Sequence, residues 1–316
     1  MSISRREFST LAAGAIASTT LASRISAQPS SQAASPSATP AGGAPKRTLR
    51  KAVMLGMIGV GSTWEDKLKA AKDAGFDGIE ADSPAPQIDE LIAASAKVGL
   101  PIHGMVNSAH WSLPLNAPGD EAGKKASEAL ETCLRDAKKA GASSILLVPG
   151  IVSDRLPYDE CWKLSIERIK RAVPLAKELG VTIAIENVWN QFLLSPLEAA
   201  RYLDEINDPI VQWHFDIGNV INFGWPEHWI KILGPRIAKL HIKDFSRKKR
   251  NDEGLWKGFS VELGEGDAGW ERVMKALDDC GYSTDPKGRW ATAEVAGGDF
   301  KRLTTISEQM DRLFAK

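Results

Sequence analysis

The sequence predicts an α/β protein built as one closed parallel (β/α)8 barrel, and three observations predict it. Short apolar runs alternate with amphipathic segments from residue 49 to the end of the chain. Four of the joints, AGFDGIE, VGLPIHG, AGASSILL and LGVTIAIE, repeat one chemistry, a helix-ending glycine and then a short apolar strand. The alternation fills about 265 residues, close to the ~250 that such a barrel occupies. An open doubly wound sheet is the rival, and the first turn argues against it. Gly56, Gly59 and Gly61 do not make GxGxxG, and Ser62-Thr63 match no P-loop lysine pattern.

The elements follow in order. An apolar run over 52–58 is the first strand, and the amphipathic segment over 64–74 after it ends at Gly75. A strand over 78–81 leads to a helix over 87–98, capped by Gly99, and a third strand spans 100–106. Helical periodicity over 121–140 precedes a strand over 144–148, and a helix over 159–179 precedes a strand over 181–186. Pro196 opens a helix that runs to residue 206 before the strand over 210–216. A short helix over 226–233 leads to the strand over 237–242, with 243 onward as loop. The helix over 270–279, the strand over 289–295 and a closing helix over 300–314 complete eight strands, each followed by a helix.

Residues 1–27 are read as an address. Ser4-Arg5-Arg6-Glu7-Phe8 sets twin arginines before a weakly apolar run over 11–22, and Ile25-Ser26-Ala27 offers a cleavage site. This resembles a twin-arginine (Tat) signal, which implies passage through the Tat export machinery and a periplasmic location. An ordinary Sec signal or an uncleaved anchor is the alternative, but the run is too short to span a bilayer, which takes about 20 residues. Residues 28–48, rich in Ser, Ala, Pro and Gly, cannot bury a core and read as a disordered tether before the barrel at 49–316. No later stretch approaches a transmembrane helix, so no stable membrane insertion is expected after cleavage.

Composition excludes some partners. The 316 residues carry 40 basic and 40 acidic side chains, a balance that gives no electrostatic reason to expect nucleic acid. The one basic cluster, Arg247 to Arg250, reads as a solvated loop face. Cys133, Cys161 and Cys280 are odd in number and lack metal-type spacing, so they are read as packing residues.

Four strand-like runs in the second half each end on a metal-competent side chain: Glu186 in VTIAIEN, Asp216 in VQWHFDIGN, His241 in IAKLHIKD and Glu294 in WATAEV. A buried strand usually stays apolar to its end, because an unpaired charge there loses several kcal/mol of solvation. Four such charges need a shared partner. In a barrel the C-terminal ends of strands five to eight are neighbours on one face, so the four converge. Three oxygen donors and one nitrogen suit Mn²⁺, with Mg²⁺ or Co²⁺ as alternatives, better than structural Zn²⁺ or Cu(I).

The segments IAIENVWN, HFDIGN, KLHIKDFSR, LGEGDAGW and TAEVAGGD resemble the xylose isomerase-like TIM barrels, in particular the sugar phosphate isomerase and epimerase branch that includes ketose 3-epimerases and hydroxypyruvate isomerase. The resemblance runs from about Leu49 to the C-terminus. It implies a divalent metal held by Glu186, Asp216, His241 and Glu294, with Glu186 and Glu294 also serving as acid and base on a small carbohydrate. The implied reaction removes a proton beside a ketone, forms a cis-enediolate, and returns a proton from either face. A homo-oligomer stays open.

Further substrate contacts are read at five positions. Arg247, six residues after His241, matches an arginine that ketose 3-epimerases aim at substrate oxygens, or is one more cation of its run. Lys243 points either into the site or between barrel and helix. His103 and His110 flank the end of the third strand, and Glu80 ends the second; each is a candidate for a sugar hydroxyl, against roles in structure or helix capping. Trp64, Trp111, Trp189 and Trp256 fall in or beside βα loops, where aromatic faces suit sugar rings. Two positions depart from the epimerase pattern: Asn219 where DxxH has a histidine, and Phe192 where a second glutamate is usual.

Other readings stay in view. The same metal and base would drive a lyase that eliminates water or an aglycone from a keto-sugar or inosose. A related endonuclease IV-like barrel needs a multi-zinc cluster, which five histidines and zero net charge disfavour. An exported sugar-binding barrel without turnover belongs to a different class altogether.

Overall fold

The computed structural model describes residues 46–85 and 87–316; the export segment and most of the tether lie outside the described residues. Eight strands, β1 (Arg50–Met54), β2 (Gly78–Ser83), β3 (Ile102–Asn107), β4 (Ser144–Leu147), β5 (Thr182–Glu186), β6 (Val211–Asp216), β7 (Ile237–Ile242) and β8 (Trp290–Ala293), pair in parallel in chain order. Strand β8 pairs back onto β1, from Arg50 opposite Trp290 to Val53 opposite Ala293, and the ring closes. The wall outside it consists of α1 (Trp64–Asp73), α2 (Ile88–Val98), α3 (Asp120–Ala140), α4 (Tyr158–Leu179), α5 (Pro196–Ile206), α6 (Ile217–Ile221), α7 (Pro226–Leu233), α8 (Arg247–Glu253), α9 (Trp270–Asp279) and α10 (Phe300–Phe314). The expected closed (β/α)8 barrel is present.

The repeated joint chemistry has a backbone cause. Gly75, Gly99, Gly141 and Gly180 sit at φ of 95°, 68°, 73° and 68°, the left-handed region where a Cβ is strained, and each turns a helix back into the next strand. Helix starts are equally local. Thr63 with Asp66, and Ser195 with Glu198, form reciprocal capping boxes at α1 and α5.

Three elements differ from the sequence expectation. The first strand stops at Met54 rather than residue 58, because its pairing with β2 ends at Met54 opposite Glu80, and a 3-10 turn over Leu55–Met57 follows. That turn packs on Gly297, where an added Cβ would lie 2.0 Å from the Met57 carbonyl oxygen. After β6 a one-turn helix, α6, precedes α7, started by Asp216 itself, which accepts from Asn219 N–H at 2.8 Å. The basic run after β7 is helical rather than loop, since Ser246 caps Lys249 N–H at 3.2 Å and opens α8.

Strand alternation divides the side chains of the barrel. Trp213, Phe215, Leu240 and Ile242 face outward and are buried under the helices, with Phe215 stacked on Trp229 of α7. Each such burial contributes about 1.5–3 kcal/mol. The inward positions of the same strands are polar: His214 and Asp216 on β6, Lys239 and His241 on β7, Thr292 on β8. Barrel interiors normally fill with Val, Ile and Leu. This one carries a buried polar column that leads up to the C-terminal face. Cys133, Cys161 and Cys280 are free thiols, the first two buried in the helical wall.

Candidate metal centre

Period-two alternation aims Glu186, Asp216 and His241 along the inner wall, and Glu294 follows directly on β8. One donor atom from each of the four lies within 4.8 Å of all the others. His241 Nδ1 is 2.9 Å from Glu186 Oε1, 3.0 Å from Glu294 Oε2 and 4.0 Å from Asp216 Oδ2. Glu186, Asp216 and His241 are buried, and Glu294 is half-buried at the rim. The structure thus assembles the four residues expected to meet.

The donor set fits a divalent cation. Asp216 Oδ2 and Glu294 Oε2 are buried without a hydrogen-bond partner, although Lys243 Nζ stands 2.9 and 2.8 Å from them as an ion pair. Three carboxylates crowded around one lysine and one imidazole repel one another, and a shared divalent cation would offset that repulsion. The electrostatics agree with that crowding. Burial, with Glu294 and Asp216 nearby, pushes Glu186 up to about 7 in spite of its bond to His241. Burial also raises Asp216, and Lys243 offsets part of the rise. Burial would raise Glu294 too, but Lys243 and His241 outweigh it and hold that carboxyl below the usual range. Burial opposes charge on His241, yet Glu294, Glu186 and Glu80 overcome it and raise the imidazole well above its ordinary value.

Glu80, expected as a sugar contact, lies underneath. It is fully buried, and its Oε2 accepts from His241 Nε2 at 3.0 Å. This is the carboxylate–histidine arrangement that orients a metal-binding imidazole. His214 completes the layer, its ring centroid 4.1 Å from that of His241 and its Nδ1 3.9 Å from Glu80 Oε1. Burial depresses its imidazole to about 3, so it is neutral. One layer lower, Lys239 Nζ donates to His103 Nδ1 at 2.8 Å, and His103 Nε2 meets Thr292 Oγ1 at 2.9 Å. His103 also stacks flat on Trp290, at 4.4 Å and 10°. Burial lowers Lys239 to about 7.

Above the carboxylates opens a cavity of about 750 Å³ whose lining includes Glu186, His241, Lys243 and Glu294, with His110, Trp111, Trp189, Asn219, Trp256 and Phe259 around them. Of the five residues read as substrate contacts, the structure brings Lys243 and His110 to this cavity and leaves three outside it. Glu80 and His103 are sealed in the barrel below. Arg247 is turned away by the start of α8: its Nε donates to the Ile221 carbonyl at 2.9 Å and its Nη2 to Gly224 at 2.7 Å. His110 Nδ1 accepts from Val148 N–H at 3.2 Å, and burial lowers its imidazole to about 4. Trp64 stays on the outer helix α1, so three of the four expected tryptophans reach the cavity. Asn219 lines it, with its amide donating to the Asn187 carbonyl at 3.0 Å. Phe192 does not; it is buried among Tyr158, Trp162 and Tyr202.

Sequence reasoning missed His214, Lys239 and Asn187. Two of them carried a signal, since HFD and KLH put His214 and Lys239 two residues before Asp216 and His241, hence on the same inner face. Asn187 had none beyond its place after Glu186. Its Oδ1 accepts from Trp213 Nε1 at 3.0 Å and from Asp216 N–H at 3.1 Å, tying β5 to β6 beneath the ligands.

Comparison with known proteins extends the picture. L-ribulose-5-phosphate 3-epimerase UlaE of Salmonella typhi is 27% identical over 253 residues, covering 74% of this chain and 86% of that protein. A D-tagatose 3-epimerase-like protein of known structure superposes with a TM-score of 0.70 at 16% identity, over 84% of this chain and 97% of that one. The 3-keto-D-glucoside 4-epimerase of E. coli gives 0.69 at 16% identity, over 85% and 100%. These structural likenesses speak for the fold. Residues 68–314, from α1 through α10, match the profile of one family across all of the barrel but its first unit, and the chain belongs to the xylose isomerase-like TIM barrel family.

Proposed function

We propose that this protein is a divalent-metal-dependent sugar isomerase or epimerase that moves a proton at the carbon next to a keto-sugar carbonyl, through a cis-enediolate. One observation carries the reading. Glu186 and Glu294 meet at a single nitrogen, His241 Nδ1, at 2.9 and 3.0 Å on the floor of a cavity of about 750 Å³. Two carboxyls placed together on the floor of a sugar-sized cavity suit an acid–base pair. The epimerase relatives support the reaction class.

Glu186, Asp216, His241 and Glu294 would hold the ion, and three oxygens with one nitrogen suit Mn²⁺ first, then Mg²⁺ or Co²⁺. When bound, the ion supplies Lewis-acid stabilisation of negative charge that develops on the sugar oxygens. Glu186 and Glu294 remove and return the proton, and Asp216 and His241 stay as ligands. Lys243 neutralises Asp216 and Glu294, while His110 and the tryptophans bound the sugar. A carbon acid beside a ketone is too weak to ionise in water at neutral pH, so the reaction requires a positive group to stabilise the developing charge.

The test is incubation of the metal-loaded protein with a panel of keto-sugars in D₂O, followed by NMR. Deuterium appears at the carbon beside the carbonyl, with mass otherwise conserved. Loss of water or of an aglycone would instead establish the lyase, and binding without any exchange would establish a sugar-binding barrel. We further propose that the chain is exported by the Tat route on residues 1–27, so that the ion is loaded while the protein folds in the cytoplasm.

A further inference from the structure

Beside the cavity lies a second depression of about 450 Å³. It shares Val188, Trp189, Asn219 and Trp256 with the cavity, so the two adjoin across one wall. Beyond that wall it is lined by Leu194, Phe223, Trp225 and Leu255, which are 65, 76, 50 and 46% exposed; Trp256 itself is 67% exposed. Apolar side chains gathered at that exposure mark a binding surface.

The shared wall is built rather than slack. Trp189 Nε1 donates to the Asn219 carbonyl at 2.8 Å, and the rings of Trp189 and Trp256 pack with centroids 4.9 Å apart. The loop beside it is held in strain. Gln191 and Leu193 have φ of 58° and 55°, and among the described residues the only other non-glycine with positive φ is Asn207, which ends α5. Backbone held in that region concentrates where a surface has to keep a shape.

Charge narrows the ligand. Among the described residues no Lys, Arg, Asp or Glu lines the groove, where His228 is the one titratable side chain, and in the adjoining cavity Lys243 and His241 are both engaged by carboxylates. A phosphorylated sugar would find no unpaired lysine or arginine in either space. An aromatic group would find faces to stack on.

We propose that the substrate is a glycoside that also carries a ketone on its sugar ring, with the sugar over the carboxylates and an apolar, aromatic aglycone in the groove against Phe223, Trp225 and Trp256. The inference rests on reading the cavity as a sugar site, and it names the substrate class of that site.

Calorimetry on the metal-loaded full-length chain tests it, with paired methyl and phenyl glycosides of glucose, galactose and xylose, and with L-ribulose 5-phosphate as the charged probe. Phenyl members bind at least about tenfold tighter than their methyl partners. Phe223→Ser and Leu194→Ser, each at an exposed position, bring that ratio below about threefold. Equal affinity within every pair, no binding of either member, or tighter binding of the phosphate would overturn the proposal. So would a dimer in sedimentation that F223S dissociates, because the groove would then be the seat of a second copy. The two readings fail separately. A phenyl preference without deuterium exchange on any keto-sugar sinks the isomerase and leaves a glycoside-binding groove. Exchange without a phenyl preference sinks the groove alone.

Discussion

Nε2 of His241 and Oε2 of Glu80 stand 3.0 Å apart inside the barrel, on the opposite edge of the imidazole from Glu186 and Glu294. A buried carboxylate in that position keeps the proton on Nε2 and leaves Nδ1 for an ion. Glu80→Gln, which keeps the shape and loses the charge, is expected to weaken divalent-metal affinity about 10–100-fold. Titration of Mn²⁺ followed by calorimetry measures it. Unchanged affinity would leave Glu80 as a packing residue.

The acid–base assignment makes a sharper demand. Glu186→Gln and Glu294→Gln each lower the rate of deuterium exchange by about 10²–10⁴. Metal content and far-UV circular dichroism are measured on the same samples, so that loss of the ion or of the fold is separated from loss of proton transfer. Either variant retaining a tenth or more of the rate with its metal bound removes that residue from the pair.

Phe192 belongs to the wall rather than to the chemistry. It is 1% exposed and packs edge-to-face on Tyr158, Trp162 and Tyr202. Phe192→Ala costs about 3–5 kcal/mol in urea unfolding, and exchange per folded molecule stays at the level of the parent. A loss of exchange with stability intact would return this position to the site.

The edge of the barrel carries a pH-dependent clamp. Arg47 forks onto Asp278 at 2.9 and 2.8 Å and also donates to the Phe314 carbonyl at 2.7 Å. Burial opposes charge on Asp278, but Arg47 and Ser283 outweigh it and hold the carboxyl below its usual value. A depressed folded value means that the contribution is complete above the unfolded carboxyl's ~3.9 and is lost as pH falls through the folded value. Arg47→Ala therefore costs about 1 kcal/mol at pH 7, discounted for partial exposure, and less at about pH 3. An equal cost at both pH values in urea titrations would mean that only the Phe314 bond matters.

Export is tested at the arginines. Replacing Arg5 and Arg6 together by lysine is expected to leave the precursor in the cytoplasm, followed by fractionation and immunoblotting. Normal appearance of the protein in the periplasm would point to the Sec route.

The barrel was legible because four of its joints announce themselves locally, through a helix-ending glycine and a short apolar strand. The clustering of Glu186, Asp216, His241 and Glu294 was legible for the opposite reason: they break the apolar runs that contain them. Glu80 and His103 look the same in sequence, as polar residues within strands two and three. What separates them from the cavity is depth along the barrel axis, which pairing register fixes and residue spacing does not. Arg247 was unreadable for a related reason. Its direction depends on Ser246 starting a helix, a capping event that turns the guanidinium toward the carbonyls of Ile221 and Gly224. Phe192 likewise follows a loop whose unusual backbone folds it under the wall.

Closure of the ring between β8 and β1 has a consequence for the order of events in the cell. Glu294 directly follows the strand that forms this seam, with α10 after it. Glu186, Asp216 and His241 are therefore translated well before Glu294, and the cluster of four exists only once the last strand has docked against the first. On the proposed function, metal capture would become a checkpoint on completed folding. An ion held by all four would tie the closing strand to β5, β6 and β7 by mass action, and its seam would be hard to reopen.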